Sequence, residues 1–227
     1  MNPRSKRPLI FIVHTSFVSV EDLTALFREV APEIEIRHIV DDSLLAEVIA
    51  HGRVTAAVKK RMKGYFYAAA LAGADLIFNQ CSSVGEAADA AGRGVRIPVV
   101  KVDTAMAEKA CRLGTRIGVV ATLVTTLGPT CRLVKRTARR LKKKISIKRC
   151  LVRGAFDVLV SGDRAKHNRM VIDAIRRLSA SVDIVVCAQG SMVAILPELG
   201  KAAVPILTSM RLGVEDAAGR LAPGTQK

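Results

Sequence analysis

The sequence predicts a parallel α/β protein made of two similar halves. Short apolar runs alternate along its 227 residues with longer amphipathic segments, which is the pattern of strands joined by crossover helices. A weak internal repeat places residues 75–83 and 183–191 in corresponding positions, each followed by another apolar run that contains a proline. We therefore expect one parallel sheet in each half, with polar loops at the carboxyl ends of its strands.

Residues 1–113 alternate between strand and helix patterns. Ser19 is placed to cap the first helix, Pro32 follows its end, and Gly73 stops the third helix. In chain order we predict a strand over 8–14, a helix over 20–30, a strand over 34–39, helices over 42–50 and 54–72, a strand over 75–79, a helix ending near 92–94, a strand over 97–102 and a helix over 104–113.

The pattern then restarts. We predict a strand over 116–121, a polar loop over 121–130, a basic helix over 131–143, a strand over 145–151, helices within 162–180, a strand over 183–187, a short helix ending at 200, a strand over 203–207, a helix over 208–221 and a frayed tail after Pro223. Two such halves facing each other would form one cleft, lined by residues 14–16, 81–83, 122–126 and 188–191.

Composition restricts the class of protein. Half of the residues are hydrophobic and a quarter are charged, as in globular domains. No apolar run approaches the roughly 20 residues that a membrane span needs. The apolar run after the basic N-terminus is short for a signal peptide, so we expect a cytoplasmic protein. The five cysteines are odd in number and lack Cys-x-x-Cys spacing, and the four histidines are scattered, so neither a disulfide framework nor a metal site is expected.

The net charge of +16 is concentrated in residues 131–153, where there are eleven basic residues and no acidic one. One interpretation is a phosphate-binding patch that makes nonspecific nucleic-acid contacts or steers small anions. The other is a solvated helix with the turn after it. The segment has no aromatic residue on which bases could stack.

Cys81 is the most informative residue of the chain. It follows an apolar run and precedes an Ala-rich helical segment, which places its thiol in a tight loop at a helix N-terminus. Backbone N–H groups and the helix dipole lower the pKa of a cysteine in such a place. The alternative is a small apolar residue buried at the end of a strand. His14 ends the first strand and is expected at the same edge of the sheet, followed by Thr15 and Ser16.

Several motifs along the chain resemble the Asp/Glu/hydantoin racemase superfamily. The matching stretches are His14-Thr15-Ser16, Cys81-Ser-Ser-Val-Gly85, Ile97–Met106, Gly118–Thr126 and Asp183–Met192. The resemblance implies two pseudo-symmetric Rossmann-like or flavodoxin-like domains, an active-site cleft between them, and no cofactor. It also implies that the last helix returns to the first domain, which would then comprise residues 1–103 and 208–227, the second comprising 104–207.

The resemblance also assigns roles to residues. Members of the superfamily place one catalytic cysteine in each pseudo-symmetric loop, and Cys81 matches the first. Gln189 stands where the second is expected, and Cys187 lies two residues earlier, either as the partner thiol or as a buried strand residue. His14 and His167 are the other candidates for the opposite proton carrier. Polar residues expected to position the substrate are Thr15, Ser16, Ser82, Ser83, Thr122, Thr125, Thr126, Gln189 and Ser191.

Three functions follow as hypotheses. The first is a cofactor-independent isomerase that removes and returns the α-proton of a small amino acid or carboxylate, assembled as a homo-oligomer as the family implies. The second is a decarboxylase-like lyase of the same fold, for which one cysteine suffices because it protonates one face only. The third is a binder of small anions or nucleic acid that has no catalytic activity.

Overall fold

A computed structural model describes residues 7–222, so the predicted tail after Pro223 lies outside the described residues. The strands are β1 Leu9–His14, β2 Glu35–Val40, β3 Leu76–Asn79, β4 Val99–Lys101, β5 Arg116–Ala121, β6 Ser146–Leu151, β7 Ile184–Cys187 and β8 Ile206–Leu207. The helices are α1 Val20–Val30, α2 Ser43–His51, α3 Ala56–Leu71, α4 Gly85–Gly92, α5 Thr104–Leu113, α6 Val124–Arg140, α7 Ala155–Val160, α8 Arg164–Ser179, α9 Leu196–Leu199 and α10 Met210–Leu221. Short 3₁₀ segments cover Ser82–Val84 and Gly190–Ile195.

The described residues divide into two compact units, one formed by 7–102 with 213–222 and the other by 103–212. Each unit contains one four-stranded parallel sheet. The strand orders are β2-β1-β3-β4 and β6-β5-β7-β8, so both sheets have the same topology when their strands are numbered within the unit. The predicted fold class, α/β with two similar parallel-sheet domains, is confirmed.

The repeated aspartates of the sequence act at the amino edge of each sheet. Asp75 Oδ2 accepts a hydrogen bond from the backbone N–H of Leu9, the first residue of β1, at 2.8 Å. Asp183 Oδ2 accepts the N–H groups of Thr115 and Arg116 at 3.0 and 2.8 Å, where β5 begins. These bonds lower the pKa of Asp183 well below its usual range. The two aspartates hold neighbouring strands in register, at the edge opposite the polar loops.

Tight packing of helices on the strands explains two glycines. A Cβ at Gly118 of β5 would lie 2.7 Å from the Leu178 side chain on α8. A Cβ at Gly213 of α10 would lie 2.6 Å from the carbonyl oxygen of Val102. Both distances are shorter than carbon contacts allow, so any larger residue would push the helix away from its sheet.

The predicted polar loop over 121–130 is wrong for most of its length, because α6 begins at Val124 instead of Cys131. Gly and Pro in succession, as at Gly128 and Pro129, ordinarily favour a break in a helix. Pro129 instead lies inside α6, where the missing N–H costs one bond to the carbonyl of Thr125. The consequence for function is that Thr125 and Thr126 lie in the first turn of a 17-residue helix.

None of the helices within residues 7–222 is both long enough and apolar enough to cross a membrane.

Candidate active site

The loop that follows β3 carries Cys81. The residue is extended, with φ −110° and ψ 120°, and directly precedes the 3₁₀ segment that leads into α4. Two hydrogen bonds fix the loop: the N–H of Gln80 donates to the carbonyl of Val13 on β1 at 3.1 Å, and Asn79 Nδ2 donates to the carbonyl of Cys81 at 3.0 Å. The Cys81 thiol is free and half-buried. The sequence prediction of strand, tight loop and helix therefore describes this segment.

The neighbouring polar residues differ in exposure. Ser82 and Ser83 are buried in the 3₁₀ turn, directly after Cys81. Thr15, just after β1, is also buried, whereas Ser16 is half-buried. All four follow a carboxyl end of sheet strands in the first unit, which is where ligands bind in parallel sheets.

His14 is completely buried and belongs to a chain of hydrogen bonds. Its Nε2 lies 3.0 Å from His38 Nδ1, and His38 Nε2 lies 3.2 Å from the hydroxyl of Thr24. That hydroxyl donates its proton to the carbonyl of Val20 at 2.7 Å, so it accepts from His38 Nε2–H. In the neutral pair His38 Nδ1 is then the acceptor, and His14 Nε2–H is the donor.

This chain leaves a lone pair on His14 Nδ1, an atom that is buried without a hydrogen-bond partner among residues 7–222. Burial, with a smaller contribution from the neighbouring charge of His38, lowers the pKa of His14 to about 4. The ring is therefore neutral at pH 7 and is sealed from solvent. These properties favour a positioning role for His14 over proton exchange with a substrate.

Two polar clusters at this edge have no counterpart among the predicted site residues. Lys101, the last residue of β4, is nearly buried, and its Nζ lies 2.7 Å from Asp89 Oδ1 on α4. Asp41, just after β2, accepts hydrogen bonds from Arg61 Nη1 at 2.9 Å and from the Tyr65 hydroxyl at 2.6 Å. In the sequence, Lys101 and Asp41 are marked only by their position at the end of an apolar run or directly after it.

In the second unit, Gln189 takes the place that Cys81 has in the first. It is extended, with φ −120° and ψ 137°, it lies two residues beyond the end of β7, and it precedes the 3₁₀ segment Gly190–Ile195. Its Oε1 accepts the backbone N–H of Thr122 at 2.7 Å, and its amide group also contacts the Thr122 hydroxyl. Gln189 thus ties together the loops that follow β5 and β7. A carboxamide has no proton to exchange near neutral pH.

Cys187 is the last residue of β7, and so corresponds to Asn79 in the first unit, not to Cys81. Its side chain is fully buried in an apolar cluster with residues such as Val120 and Ile175. Burial raises the pKa of the Cys187 thiol to about 12. A sealed, protonated thiol is suited to packing and poorly suited to proton transfer.

The remaining predicted substrate-binding residues lie around the N-terminus of α6 and after Gln189. Thr122 and Thr126 are buried, and Thr125 is half-buried with a hydroxyl oxygen that has no hydrogen-bond partner within the described chain. Ser191 is half-buried in the 3₁₀ segment. The first turn of a helix presents backbone N–H groups and a positive dipole end, which favour an anion such as a carboxylate.

His167, the other histidine among the candidate proton carriers, is buried in the first turns of α8. Its Nδ1 lies 3.1 Å from Asn168 Oδ1, and Asn168 Nδ2 donates to Glu198 Oε1 at 2.5 Å. Separately, no group of three or more His, Cys, Asp or Glu side chains in the described part of the chain is arranged to hold a metal ion.

The sequence profile described as Asp/Glu/Hydantoin racemase matches residues 9–217. The chain belongs to the Asp/Glu/hydantoin racemase family. None of the curated protein sequences gives a significant match.

Solved structures of racemases share the fold. A putative Asp/Glu racemase from Yersinia pestis superposes with a TM-score of 0.73 at 15% identity, covering 93% of this chain and 98% of its own. Glutamate racemase RacE1 from Bacillus anthracis gives 0.70 at 16% identity, with coverages of 96% and 82%. Allantoin racemase from Klebsiella pneumoniae gives 0.68 at 19% identity, with coverages of 96% and 89%. At these identities the likeness is one of fold.

Proposed function

We propose that this family member is a cofactor-independent isomerase that inverts the α-carbon of a small amino acid or related carboxylate. The observation that carries the proposal is the placement of Cys81. It is a free, partly buried cysteine on an extended residue, directly before a 3₁₀ turn, at the carboxyl end of a parallel strand. Membership of the racemase family supports the same reaction class.

In the proposed reaction, the Cys81 thiolate removes the α-proton and becomes a thiol. The electron pair left on the α-carbon delocalises into the substrate's carboxyl group, and a proton delivered to the opposite face produces the other enantiomer. The developing negative charge needs nearby hydrogen-bond donors. We assign this binding role to Thr15, Ser16, Ser82 and Ser83 in the first unit, and in the second unit to Thr122, Thr125, Thr126, Gln189 and Ser191.

The other two predicted catalytic residues are His14 and Cys187, and their surroundings decide whether they can deliver a proton to the opposite face of the α-carbon. His14 is buried and neutral, and Cys187 is buried with a strongly raised pKa. Neither is well suited to exchange a proton with a substrate at neutral pH. The proposal therefore needs a second proton carrier outside the three predicted catalytic residues.

The experiment is α-proton exchange in ²H₂O, followed by ¹H NMR, with each enantiomer of aspartate, glutamate and allantoin supplied separately. We expect the wild-type protein to exchange and invert at least one of these substrates. Cys81→Ser should lower the rate of inversion by about 10²–10⁴-fold, the usual loss when a general acid–base group is removed. Cys150→Ser removes the other half-buried thiol and should leave the rate unchanged.

Absence of exchange across the panel, with a folded wild-type protein, would contradict the proposal. Release of carbon dioxide from a disubstituted malonate without any inversion would instead assign the lyase reaction, which needs only one accessible thiol.

A second candidate activity rests on a cavity of about 150 Å³ in the second unit, lined by Gly128, Cys131, Arg132, Lys135, Ile147 and Arg149. Burial raises the pKa of the Cys131 thiol, whereas the charges of Arg149, Lys135 and Arg132 oppose that shift, so all three cations lie close to it. The volume equals about five water molecules, enough for one phosphate group. We propose that this cavity and the basic segment 131–153 bind phosphate groups nonspecifically, including those of nucleic acids.

Binding of a fluorescent oligonucleotide tests this activity by polarisation at several salt concentrations. We expect the affinity to fall steeply as salt rises, and the double variant K135A/R149A to reduce both the affinity and the salt dependence. K59A/K60A removes the same charge from exposed positions on α3 and serves as the control. Equal losses in the two variants would contradict a localised site.

We also propose that the protein is a homo-oligomer in the cytoplasm. Tyr67 and Leu71, one turn apart on α3, are exposed apolar side chains suited to contact between copies. All five cysteines are free, as is usual in a reducing compartment. Analytical ultracentrifugation of the wild type and of Leu71→Lys tests this contact. We expect the variant to sediment as a smaller species than the wild type. A wild type that sediments as a monomer would contradict the proposal.

A further inference from the structure

The loops that follow the two central strands of each sheet carry no charged side chain. In the first unit these loops are residues 15–19 after β1 and 80–84 after β3, and in the second unit 122–123 after β5 and 188–195 after β7. None of them contains Asp, Glu, Lys or Arg, although a quarter of the chain is charged and its net charge is +16. The excess of basic residues therefore lies outside the loops at which parallel sheets bind ligands.

Two basic side chains reach this edge of the first sheet, and carboxylates neutralise both of them. Lys101 Nζ, at the end of β4, lies 2.7 Å from Asp89 Oδ1 on α4. The guanidinium of Arg61 on α3 lies 2.9 Å from Asp41 Oδ2, just after β2, and 2.5 Å from Glu47 Oε2 on α2. Neither cation can pair with an additional carboxylate of a substrate unless it gives up one of these bonds.

The loop after β1 exposes two large apolar side chains in succession. Phe17 is 68% exposed and Val18 is 66% exposed, whereas Thr15 and Ser19 on either side of them are buried. The turn that presents the pair is hydrogen-bonded, because the N–H of Val20 donates to the carbonyl of Phe17 at 3.2 Å. An ordered turn thus leaves apolar surface in water, which the apolar group of a ligand can cover.

The second unit, taken by itself, has the same character at the same topological position. β5 occupies in its sheet the place that β1 has in the first, and α6 begins three residues after it with Val124. The Val124 side chain is also exposed. Exposure of an apolar side chain after this strand is therefore a repeated feature of the chain.

Phe17 and Val18 belong to the loop next to the one that carries Cys81, within the first unit. β1 and β3 are neighbours in the sheet and run parallel. The N–H of Gln80 donates to the carbonyl of Val13 at 3.1 Å, where the two loops leave the sheet. The loop of the proposed catalytic thiol therefore begins beside a loop that offers apolar surface and no charge.

We propose that the substrate of this isomerase carries an uncharged, apolar substituent on its α-carbon, and that Phe17 and Val18 contact this substituent. The inference rests on the proposed function and names the substrate class that the same site prefers. A second carboxylate, as in aspartate or glutamate, would lose hydration at this surface without gaining a cation. An apolar substituent would be favoured there because it removes its own surface and that of the exposed pair from water.

Protection of Cys81 from iodoacetamide tests this preference without requiring a reaction. The probes are 4-methylpentanoate and succinate, which differ only in that a carboxylate replaces the isopropyl group. We expect half-protection at a concentration of 4-methylpentanoate about tenfold lower than that of succinate, as measured by peptide mass spectrometry. Equal protection by the two probes, stronger protection by succinate, or protection by neither would overturn the inference.

The double variant F17A/V18A tests the contact itself. It changes two exposed side chains and should need a several-fold higher concentration of 4-methylpentanoate, with the succinate value unchanged. Leu113→Ala is the matched control, since it shortens another exposed apolar side chain at the end of α5, before β5 begins, and should change neither value. Unchanged protection in F17A/V18A would overturn the contact, and a smaller sedimenting species in the same variant would assign the pair to a contact between copies.

The same preference should appear in the kinetics of exchange. Leucine and aspartate again differ by an isopropyl group in place of a carboxylate, and we expect kcat/KM for α-proton exchange in ²H₂O to be at least about tenfold higher for leucine. F17A/V18A should raise KM for leucine several-fold and leave kcat nearly unchanged. A higher kcat/KM for aspartate would overturn this inference and leave the isomerase activity intact. Absence of exchange with every substrate would contradict the proposed function, whereas the protection experiment would still decide the preference.

Discussion

The loops after β3 and β7 have nearly the same backbone and different chemistry. Cys81 and Gln189 have φ, ψ angles of −110°, 120° and −120°, 137°, and each lies two residues beyond its strand and directly before a 3₁₀ segment. One carries a free, partly buried cysteine and the other an amide bonded to Thr122. The two loops therefore share a backbone conformation, but only the first has a thiol at this position.

Different bonds hold the two loops in that common shape. In the first unit Asn79, at the end of β3, donates to the backbone carbonyl of Cys81, so this bond does not engage the Cys81 side chain. In the second unit the corresponding strand residue is Cys187, which packs in the core, and Gln189 itself makes the fixing contact. The side chain at this position therefore holds its own loop in the second unit, whereas in the first unit the preceding Asn79 does so.

The largest expected contrast is between the alkylation rates of Cys81 and Cys187. At pH 8, a thiol whose pKa is raised to about 12 is a thiolate in only about one molecule in 10⁴, and the Cys187 thiol is also sealed from the reagent. We expect iodoacetamide to modify Cys81 at least about a thousandfold faster, as measured by peptide mass spectrometry.

The matched control is the same reaction in denaturant, where the two cysteines should react at similar rates. Modification of Cys187 at the rate of Cys81 in the folded protein would contradict its burial, and with it the difference drawn between the two loops.

A smaller effect is expected on stability at acid pH, through His14. Its folded pKa of about 4 lies below the ordinary value of about 6.5, so the unfolded chain binds more protons between these pH values. The contribution of His14 to the free energy of unfolding should be constant above pH 6.5. It should fall by up to about 3 kcal/mol as the pH drops to 4.

Urea denaturation at a series of pH values measures this dependence. His14→Gln, which retains a donor toward His38, should flatten the profile between pH 6.5 and 4. A profile that is unchanged by the substitution would show that His14 is not held neutral.

The smallest expected effect concerns the bonds between Gln189 and Thr122. Gln189→Ala removes hydrogen bonds at 2.7 and 3.0 Å that join the ends of β5 and β7, and should lower the free energy of unfolding by about 1 kcal/mol. Gln80→Ala, in the first unit, removes a side chain that makes no hydrogen bond within residues 7–222 and should cost less than about 0.5 kcal/mol. Equal losses would contradict the fixing role of Gln189.

The parallel sheets and the Cys81 loop could be predicted because their signals are local. An apolar run, a polar turn with Gly85 and an Ala-rich stretch specify strand, turn and helix wherever they occur. The start of α6 could not be predicted in this way, because Gly128 and Pro129 indicate a break that packing of the helix overrides. The hydrogen bonds of Asp75 and Asp183 to the first residues of neighbouring strands could not be predicted either, because those residues lie 66 to 68 positions away in the chain.

Side-chain chemistry at the site depended on contacts that no spacing reveals. The sequence placed His14 beside Cys81 as an acid–base candidate, and only its burial against His38 shows that its ring stays neutral. The pairing of His167 with Asn168 and Glu198 joins α8 to α9 across 30 residues. Such pairings follow from how helices pack on the second sheet, which a single sequence does not specify.

The central claim is that two different groups exchange the two protons, and deuterium incorporation during a single turnover tests it most directly. One enantiomer of an inverted substrate is supplied in ²H₂O and the reaction is stopped early. Two carriers predict deuterium at the α-carbon of the product, while the recovered substrate keeps its protium. Equal labelling of substrate and product, or a product that keeps the original proton, would contradict the account.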